Sequence, residues 1–309
     1  MTGPSDTDYG ADAAGEREAA FTLALPASTP LPILIAVPHA GRRYSADLTA
    51  AMRDPAWCAA RLEDRYADAL GEAVAQATGA ALLVAQAPRA LIDLNRAPDD
   101  VDWSMISGVS ARRAPHSAAN RRARSGLGLV PRRLPVVGEM WKQRLPAAEL
   151  EARIETVHRP YHRAIGETLE RLRDRWGAAL LIDLHSMPPL RQPGHAGEGA
   201  EFVIGDRFGS SCAAGLSALA LRQLAGAGRR VAHNRPYSGG YALDHHAQPR
   251  RGIHALQIEV CRAAYLDAQL DQPGPRLPAV AKALGGLVRA LADEVAALGN
   301  PDAHRQAAQ

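Results

Sequence analysis

Leu31-Pro32-Ile33-Leu34-Ile35-Ala36-Val37-Pro38-His39-Ala40-Gly41 is the stretch on which the reading of the fold turns. From Leu31 to Val37 no polar residue interrupts the run, so it reads as a strand buried on both faces rather than one with a wet side. It then stops at a proline, a histidine and a glycine, the residues of a turn. In open α/β sheets, sites form outside the carboxyl ends of strands, and His39 stands at such an end.

Working outward, short apolar runs alternate with longer helical patterns, the signature of an α/β sheet. A helix is expected near 65–78, where Tyr66, Ala69, Leu70, Ala73, Val74 and Ala77 form an apolar stripe. Ala81 to Ala85 reads as a strand, and Ala90 to Leu94 as another. From 98 to 145 the pattern breaks into an irregular insertion rich in Arg, Pro, Gly and Ser, of a length that is usually functional or mobile. A helix over 147–176 follows, interrupted or kinked by Pro160. Further strands are expected at 178–184, 201–205, 230–233 and 253–260, with helices near 209–226 and 278–298. No repeat or linker divides the chain. The expectation is one domain over 21–299, between tails at 1–20 and 300–309.

Composition narrows the function classes. Hydrophobic residues make up 47% of the 309 and aromatics 5%, so Ala, Leu and Val must fill the core. A net charge of +3 is too small to suggest nucleic acid. The basic stretch Arg112, Arg113, Arg121, Arg122, Arg124, Arg132 and Arg133 lacks interleaved aromatics, so it reads as a solvated loop. Cys58, Cys212 and Cys261 form no CxxC pair and no disulfide framework, which fits a reducing cytoplasm. Met1 to Ala20 is acidic and polar, unlike a secretory signal. The apolar runs fall far short of the roughly 20 residues of a membrane span. A soluble, cytoplasmic protein is expected.

The chemistry gathers at strand ends. Asp183 and His185 close the 178–184 strand as His39 closes the first. Two such histidines can converge on one cation, and a catalytic zinc usually takes three protein ligands and leaves a position for water. Each histidine alone reads more readily as a hydrogen-bonded loop residue than as a ligand. The third ligand should be a carboxylate, and Glu63-Asp64 is the nearest source. Asp64 lies opposite the apolar stripe of the following helix, so it reaches a site only if the helix begins there and its first turn faces the strand ends.

Glu259 interrupts the strand-like Ala255-Leu256-Gln257-Ile258-Glu259-Val260, where a buried carboxylate is costly without a partner. It reads either as an exposed edge residue or as a general base that takes a proton from water and passes it to a leaving amine. Arg89 and Asp93-Leu94-Asn95-Arg96 read either as a clamp for a substrate carboxylate or as a structural ion pair through Asp93. Asn234-Arg235-Pro236-Tyr237-Ser238-Gly239-Gly240 is a lid or a turn, with Tyr237 as a candidate substrate contact. His245, His246 and His254 are placed near the site and are not read as ligands.

Taken in order, Val37 to Gly41, Asp64 to Asp68, Arg89 with Asp93 to Arg96, Asp183 to Met187, Asn234 to Gly240 and Ala255 to Glu259 resemble the motifs of the N-formylglutamate amidohydrolase family. The resemblance spans about residues 30–265. It departs at Ala40, where Ser or a similar small polar residue is expected. It implies a three-layer α/β/α fold with a mixed central sheet, similar to the zinc carboxypeptidases, and one Zn2+ per chain. It implies His39, Asp64 and His185 as metal ligands and Glu259 as general base. Arg89 would polarise the scissile carbonyl, and Asn95 and Arg96 would hold the carboxylate of a small acylated amino acid. The implied activity releases formate and glutamate from N-formylglutamate, a late step of histidine degradation. Rival readings are a hydrolase of another N-acyl amino acid or small peptide, and a non-catalytic binding protein of the same fold. A two-metal ureohydrolase, suggested by Asp183-Leu184-His185, needs a carboxylate at the position of Met187.

Overall fold

The computed structural model describes residues 19–109, 121–190 and 199–300. The expected tails, apart from residues 19, 20 and 300, lie outside the described residues. So do residues 110–120 of the insertion, with Arg112 and Arg113, and the side chain of Arg121.

Seven strands form one mixed sheet: β1 (Phe21–Ala24), β2 (Ile33–Val37), β3 (Ala81–Ala85), β4 (Ala179–Met187), β5 (Phe202–Gly205), β6 (Val231–His233) and β7 (Ile253–Cys261). Their order across the sheet is β1-β3-β2-β4-β7-β5-β6. Strands β3, β2, β4 and β7 run parallel, β1 is antiparallel to β3, and β5 is antiparallel to β7. The continuous apolar runs follow from this arrangement, because β2, β3, β4 and β7 are buried at every residue and both faces carry helices.

On one face, Ile33, Ile35, Val37, Leu180, Ile182 and Ile258 pack with α1 (Ala67–Thr78), α3 (Ala214–Gly226) and α5 (Leu277–Gly299). On the other, Leu34, Ala36, Leu181 and Ala255 pack with α2 (Arg159–Trp176) and α4 (Tyr241–His246). The architecture is a three-layer α/β/α sandwich.

Several expectations need correction. Residues 90–94 are not a strand but a turn segment. Their buried Ala90, Ile92 and Leu94 look strand-like in sequence because they line apolar clusters beside the sheet. The helix over 147–176 is interrupted as Pro160 requires, in a particular way. An α-helical segment Ala147–Arg153 passes through a π-turn, Ile154–His158, directly into α2, which carries the proline near its start. The helix expected near 65–78 starts at Ala67, after Tyr66 in a left-handed conformation.

The insertion is also more ordered than its composition suggests. Leu129, Val130 and Met140 are buried. The backbone of Leu129 accepts from Asp93 N at 2.7 Å and donates to Asp100 O at 2.6 Å. Arg132 pairs with Asp102 and Glu139, and Arg133 with Glu139. Among the described residues no helix is long and apolar enough to cross a membrane, and the three cysteines are free and buried.

Candidate metal centre and active site

The site is built where β2, β4 and β7 end. Side chains alternate along a strand, so Asp183 and His185 continue the α2 face begun by Ala179 and Leu181. Gln257 and Glu259 do the same after Ile253 and Ala255. Register then sets them side by side, Asp183 opposite Gln257 and His185 opposite Glu259. Four polar side chains therefore share one patch at the carboxyl ends of two adjacent parallel strands.

Loops bring the other members. His39 follows β2 and Asp64 precedes α1, and the two are tied by Asp64 N donating to His39 O at 2.8 Å. Asp64 thus reaches the site from the loop, three residues before the helix begins; it needs no place on the helical wheel. Of the two neighbouring acids, Asp64 stands beside the histidines, while Glu63 lies 3.5 Å from Arg65.

His39, Asp64 and His185 are all buried, and one ligand atom from each lies within 4.8 Å of the others. The two rings approach to 4.8 Å between centroids. Asp64 Oδ2 is 2.9 Å from His185 Nδ1 and 3.6 Å from His39 Nδ1. Each ring turns its other nitrogen to a second carboxylate. His39 Nε2 donates to Asp93 Oδ1 at 2.7 Å, and His185 Nε2 donates to Asp183 Oδ2 at 2.9 Å. Since those nitrogens must carry hydrogen, neutral rings present Nδ1 lone pairs toward Asp64. His39 Nδ1 is buried with no hydrogen-bond partner among the described residues. Two imidazole lone pairs and a carboxylate that converge without a donor suit a cation. The carboxylates behind the rings are the usual orienting partners of metal-binding histidines.

Charge follows the same layout. Burial alone would raise the Asp64 carboxyl, but the neighbouring His185 and His39 rings outweigh it and lower it below the usual range. Burial disfavours a charged His185 ring, yet Asp183 and Asp64 overcome that and hold its pKa well above the ordinary value. Burial, helped by the nearby charges of Asp64 and Asp183 and opposed by His185 and Arg89, pushes Glu259 up to about 7. Gln257 Nε2 donates to Glu259 Oε1 at 2.9 Å and orients it.

Arg89 packs against Asp93, with Nε and Nη2 each 2.8 Å from Oδ2. The ion pair anticipated as one reading of this segment is therefore present, and Asp93 also carries His39. Asn95 Nδ2 lies 3.1 Å from Asp183 Oδ2 and its Oδ1 accepts from Ala242 N at 2.9 Å. Arg96 donates to Leu127 O at 3.0 Å and Asn95 O at 2.7 Å. Tyr237 is half-buried, its hydroxyl pKa raised by burial and by the negative charges of Glu259 and Asp64. Its loop is tied on both flanks, by Arg207 N donating to Ser238 O at 2.8 Å and by Gly240 against Asn95, where a Cβ would come within 2.5 Å of Oδ1.

One participant has no place in the sequence reading. Arg262 leaves the end of β7 and donates to Ser186 Oγ at 3.1 Å and to the Glu63 carbonyl, 3.5 Å from Asp64 Oδ1. Its position three residues after Glu259 was the available signal. Gln257 could have been found from its period-two spacing to Glu259, the spacing that relates Asp183 to His185. His254 lies apart, buried, and its Nδ1 has no hydrogen-bond partner among the described residues.

Known proteins share this layout of chain. A protein of Pseudomonas aeruginosa named N-formylglutamate deformylase is 29% identical over 281 residues, 87% of this chain and 94% of that protein. A Pseudomonas putida protein of the same name is 30% identical over 248 residues, 77% of this chain and 82% of its own length. The crystal structure of N-formylglutamate amidohydrolase from Ralstonia eutropha JMP134 superposes with a TM-score of 0.79 at 33% identity, covering 89% of this chain and 98% of that one. The sequence model of the N-formylglutamate amidohydrolase family matches residues 31–266, a span that holds His39, Asp64, His185 and Glu259, and the chain belongs to that family.

Proposed function

We propose that this chain hydrolyses the formyl amide of N-formylglutamate to formate and glutamate, with His39, Asp64 and His185 holding one zinc ion. The reading is carried by the convergence of three ligand atoms within 4.8 Å beside the Glu259 carboxyl, whose pKa burial raises to about 7, in a chain of this family. When bound, such an ion supplies Lewis acidity, drawing the pKa of water toward about 7 and polarising a carbonyl.

The chain's own groups do the rest. Glu259 takes a proton from the attacking water as oxygen bonds to the formyl carbon. It then delivers that proton to the amide nitrogen as the C–N bond breaks, and glutamate leaves as the amine. A pKa near the working pH suits a group that must both accept and donate. Arg89 Nη1, which has no partner among the described residues, stabilises the charge that develops on the formyl oxygen. Asn95 keeps one Nδ2 hydrogen, Arg96 keeps Nη2, and Tyr237 keeps its hydroxyl; these are the groups proposed to bind the substrate carboxylates. The buried free cysteines suit a cytoplasmic enzyme, in a late step of histidine degradation.

The test is formate release from a panel of acylated amino acids before and after chelation. N-formyl-L-glutamate should turn over fastest, lose its turnover on chelation and regain it with zinc. Equal rates across amino-acid side chains would assign the chain to another N-acyl amino acid.

A further inference from the structure

Beside the metal group, on the Asn95 side, histidines pack ring to ring. His158 and His162 stand one turn apart, with centroids 4.4 Å apart. His162 stacks on His246 at 5.2 Å, and Tyr241 meets His162 edge-on at 5.0 Å. The hydrogen bonds among them have a direction. His158 Nε2 lies 2.8 Å from Arg96 O and His162 Nε2 lies 2.9 Å from Leu94 O. A carbonyl only accepts, so both nitrogens donate. A neutral His162 then offers Nδ1 as an acceptor, and His246 Nε2 donates to it at 2.9 Å. Burial lowers the pKa of all three rings, that of His246 to about 3, and keeps them uncharged.

The two carbonyls gripped this way belong to the residues on either side of Asn95. They lie in a turn segment with no strand or helix to take them up, and buried carbonyls require donors. An imidazole can bond a carbonyl at one end and a neighbour at the other, which a phenyl ring cannot. His246 also belongs to α4, whose Ala242 N–H holds Asn95 Oδ1. With its oxygen committed there, the Asn95 carboxamide must turn Nδ2 toward Asp183 Oδ2, 3.1 Å away, and that carboxylate in turn holds His185 Nε2.

We propose that His158, His162 and His246 are positioning residues, a brace of neutral imidazoles that fixes the Asn95 carboxamide and, through Asp183, the ring of His185 as a metal ligand. The proposal rests on the reading of His39, Asp64 and His185 as a metal centre. The brace is not a second cation site, since its facing nitrogens are consumed by one another and by the two carbonyls. Among the described residues one group alone has the makings of a metal site.

The test is a double-mutant cycle on metal affinity. Metal-depleted full-length protein is titrated with Zn2+ against a chromophoric chelator for the wild type, His162→Phe, Asn95→Ala and the pair together, with Tm recorded for each. Phe keeps the ring and loses both hydrogen bonds. His162→Phe should weaken Zn2+ about tenfold, the scale of loss of orienting partners around metal ligands. The double variant should then lose no more than Asn95→Ala alone, because contacts in one network are not additive. His162→Gln, which retains a donor for Leu94 O, should recover part of the loss. The absorption spectrum of bound Co2+ should change in His162→Phe, as it would not for a merely structural residue. If His162→Phe does not fold, His158→Phe, which loses the donor to Arg96 O, enters the same cycle with the same expectation. Multiplying losses, or a lowered Tm with unchanged Zn2+ affinity, would overturn the brace alone. A wild type that takes up no Zn2+ would overturn the metal centre and the brace with it.

Discussion

His39 stands on a loop and His185 inside a strand, and each is backed by a carboxylate in a different electrostatic setting. Behind His39, Asp93 is compensated by Arg89 at 2.8 Å, with Arg96 at 3.8 Å. Burial opposes its charge, but Arg89, His39 and Arg96 together hold its pKa well below the usual range. Behind His185, Asp183 has the neutral Asn95, and its Oδ1 has no partner among the described residues. The compensating proton falls instead on His185, whose pKa is raised. On the proposed reading, one imidazole–carboxylate pair would be a fixed ligand held by a permanent cation, and the other a ligand for which metal and proton would compete. Glu259 is in register with His185, so in the proposed mechanism the strand-borne half would carry the proton chemistry while the loop-borne half would hold its shape.

The sharpest way to separate the halves is Glu259→Gln. It should lower kcat by about 10²–10⁴-fold, the range of a general acid–base contribution, while zinc content stays at the wild-type level. Loss of zinc together with activity would mean the halves are not separable.

Next in size is the contrast between Asp93→Asn and Asp183→Asn in urea unfolding of the metal-free protein. Removing the Asp93 charge strands the mostly buried Arg89 guanidinium, and breaking a fully buried pair costs about 3–5 kcal/mol, an upper bound here. Asp183→Asn removes a carboxylate that has no permanent cation and should cost clearly less. Equal losses would break the comparison.

Asp183→Asn should show itself in metal affinity, weakened about 10–100-fold, and in its pH dependence. His185's pKa is raised in the folded chain, so its proton stabilises the metal-free fold below about pH 6.5, the unfolded value. That contribution is lost as pH rises through the folded pKa. Metal must displace the same proton, so wild-type affinity should climb with pH, and Asp183→Asn should flatten the climb. The smallest effect is expected from Gly240→Ala. A Cβ there meets Asn95 Oδ1 at 2.5 Å, and kcat/KM should fall about tenfold through displaced ligand geometry.

What could be read in the sequence were the features that repeat along the chain. The buried strands announced themselves by unbroken apolar runs, and His39, His185 and Glu259 by polar residues where those runs end or are interrupted. β1 escaped notice because it is short, sits at the sheet edge and alternates, with Phe21 and Leu23 buried and Thr22 exposed. Residues 90–94 misled because apolar spacing cannot distinguish a strand from a turn pressed against a core. Long-range partnerships had no local trace. Asp93 meets His39 across 54 positions, and the insertion supplies the carbonyls of Leu127 and Leu129 that hold Arg96 and Asp93. The imidazole brace was equally hidden, because His158 and His162 gain a purpose only when the turn carrying Asn95 lies beside them.

The central claim is that His39, Asp64 and His185 hold one metal ion on which hydrolysis depends. Elemental analysis of the wild type and of Asp64→Ala, read against formate release from N-formyl-L-glutamate, tests it most directly. The wild type should carry about one zinc per chain, and Asp64→Ala should lose most of both its zinc and its formate release. Formate release by a wild type that carries no metal and is indifferent to chelator would contradict it.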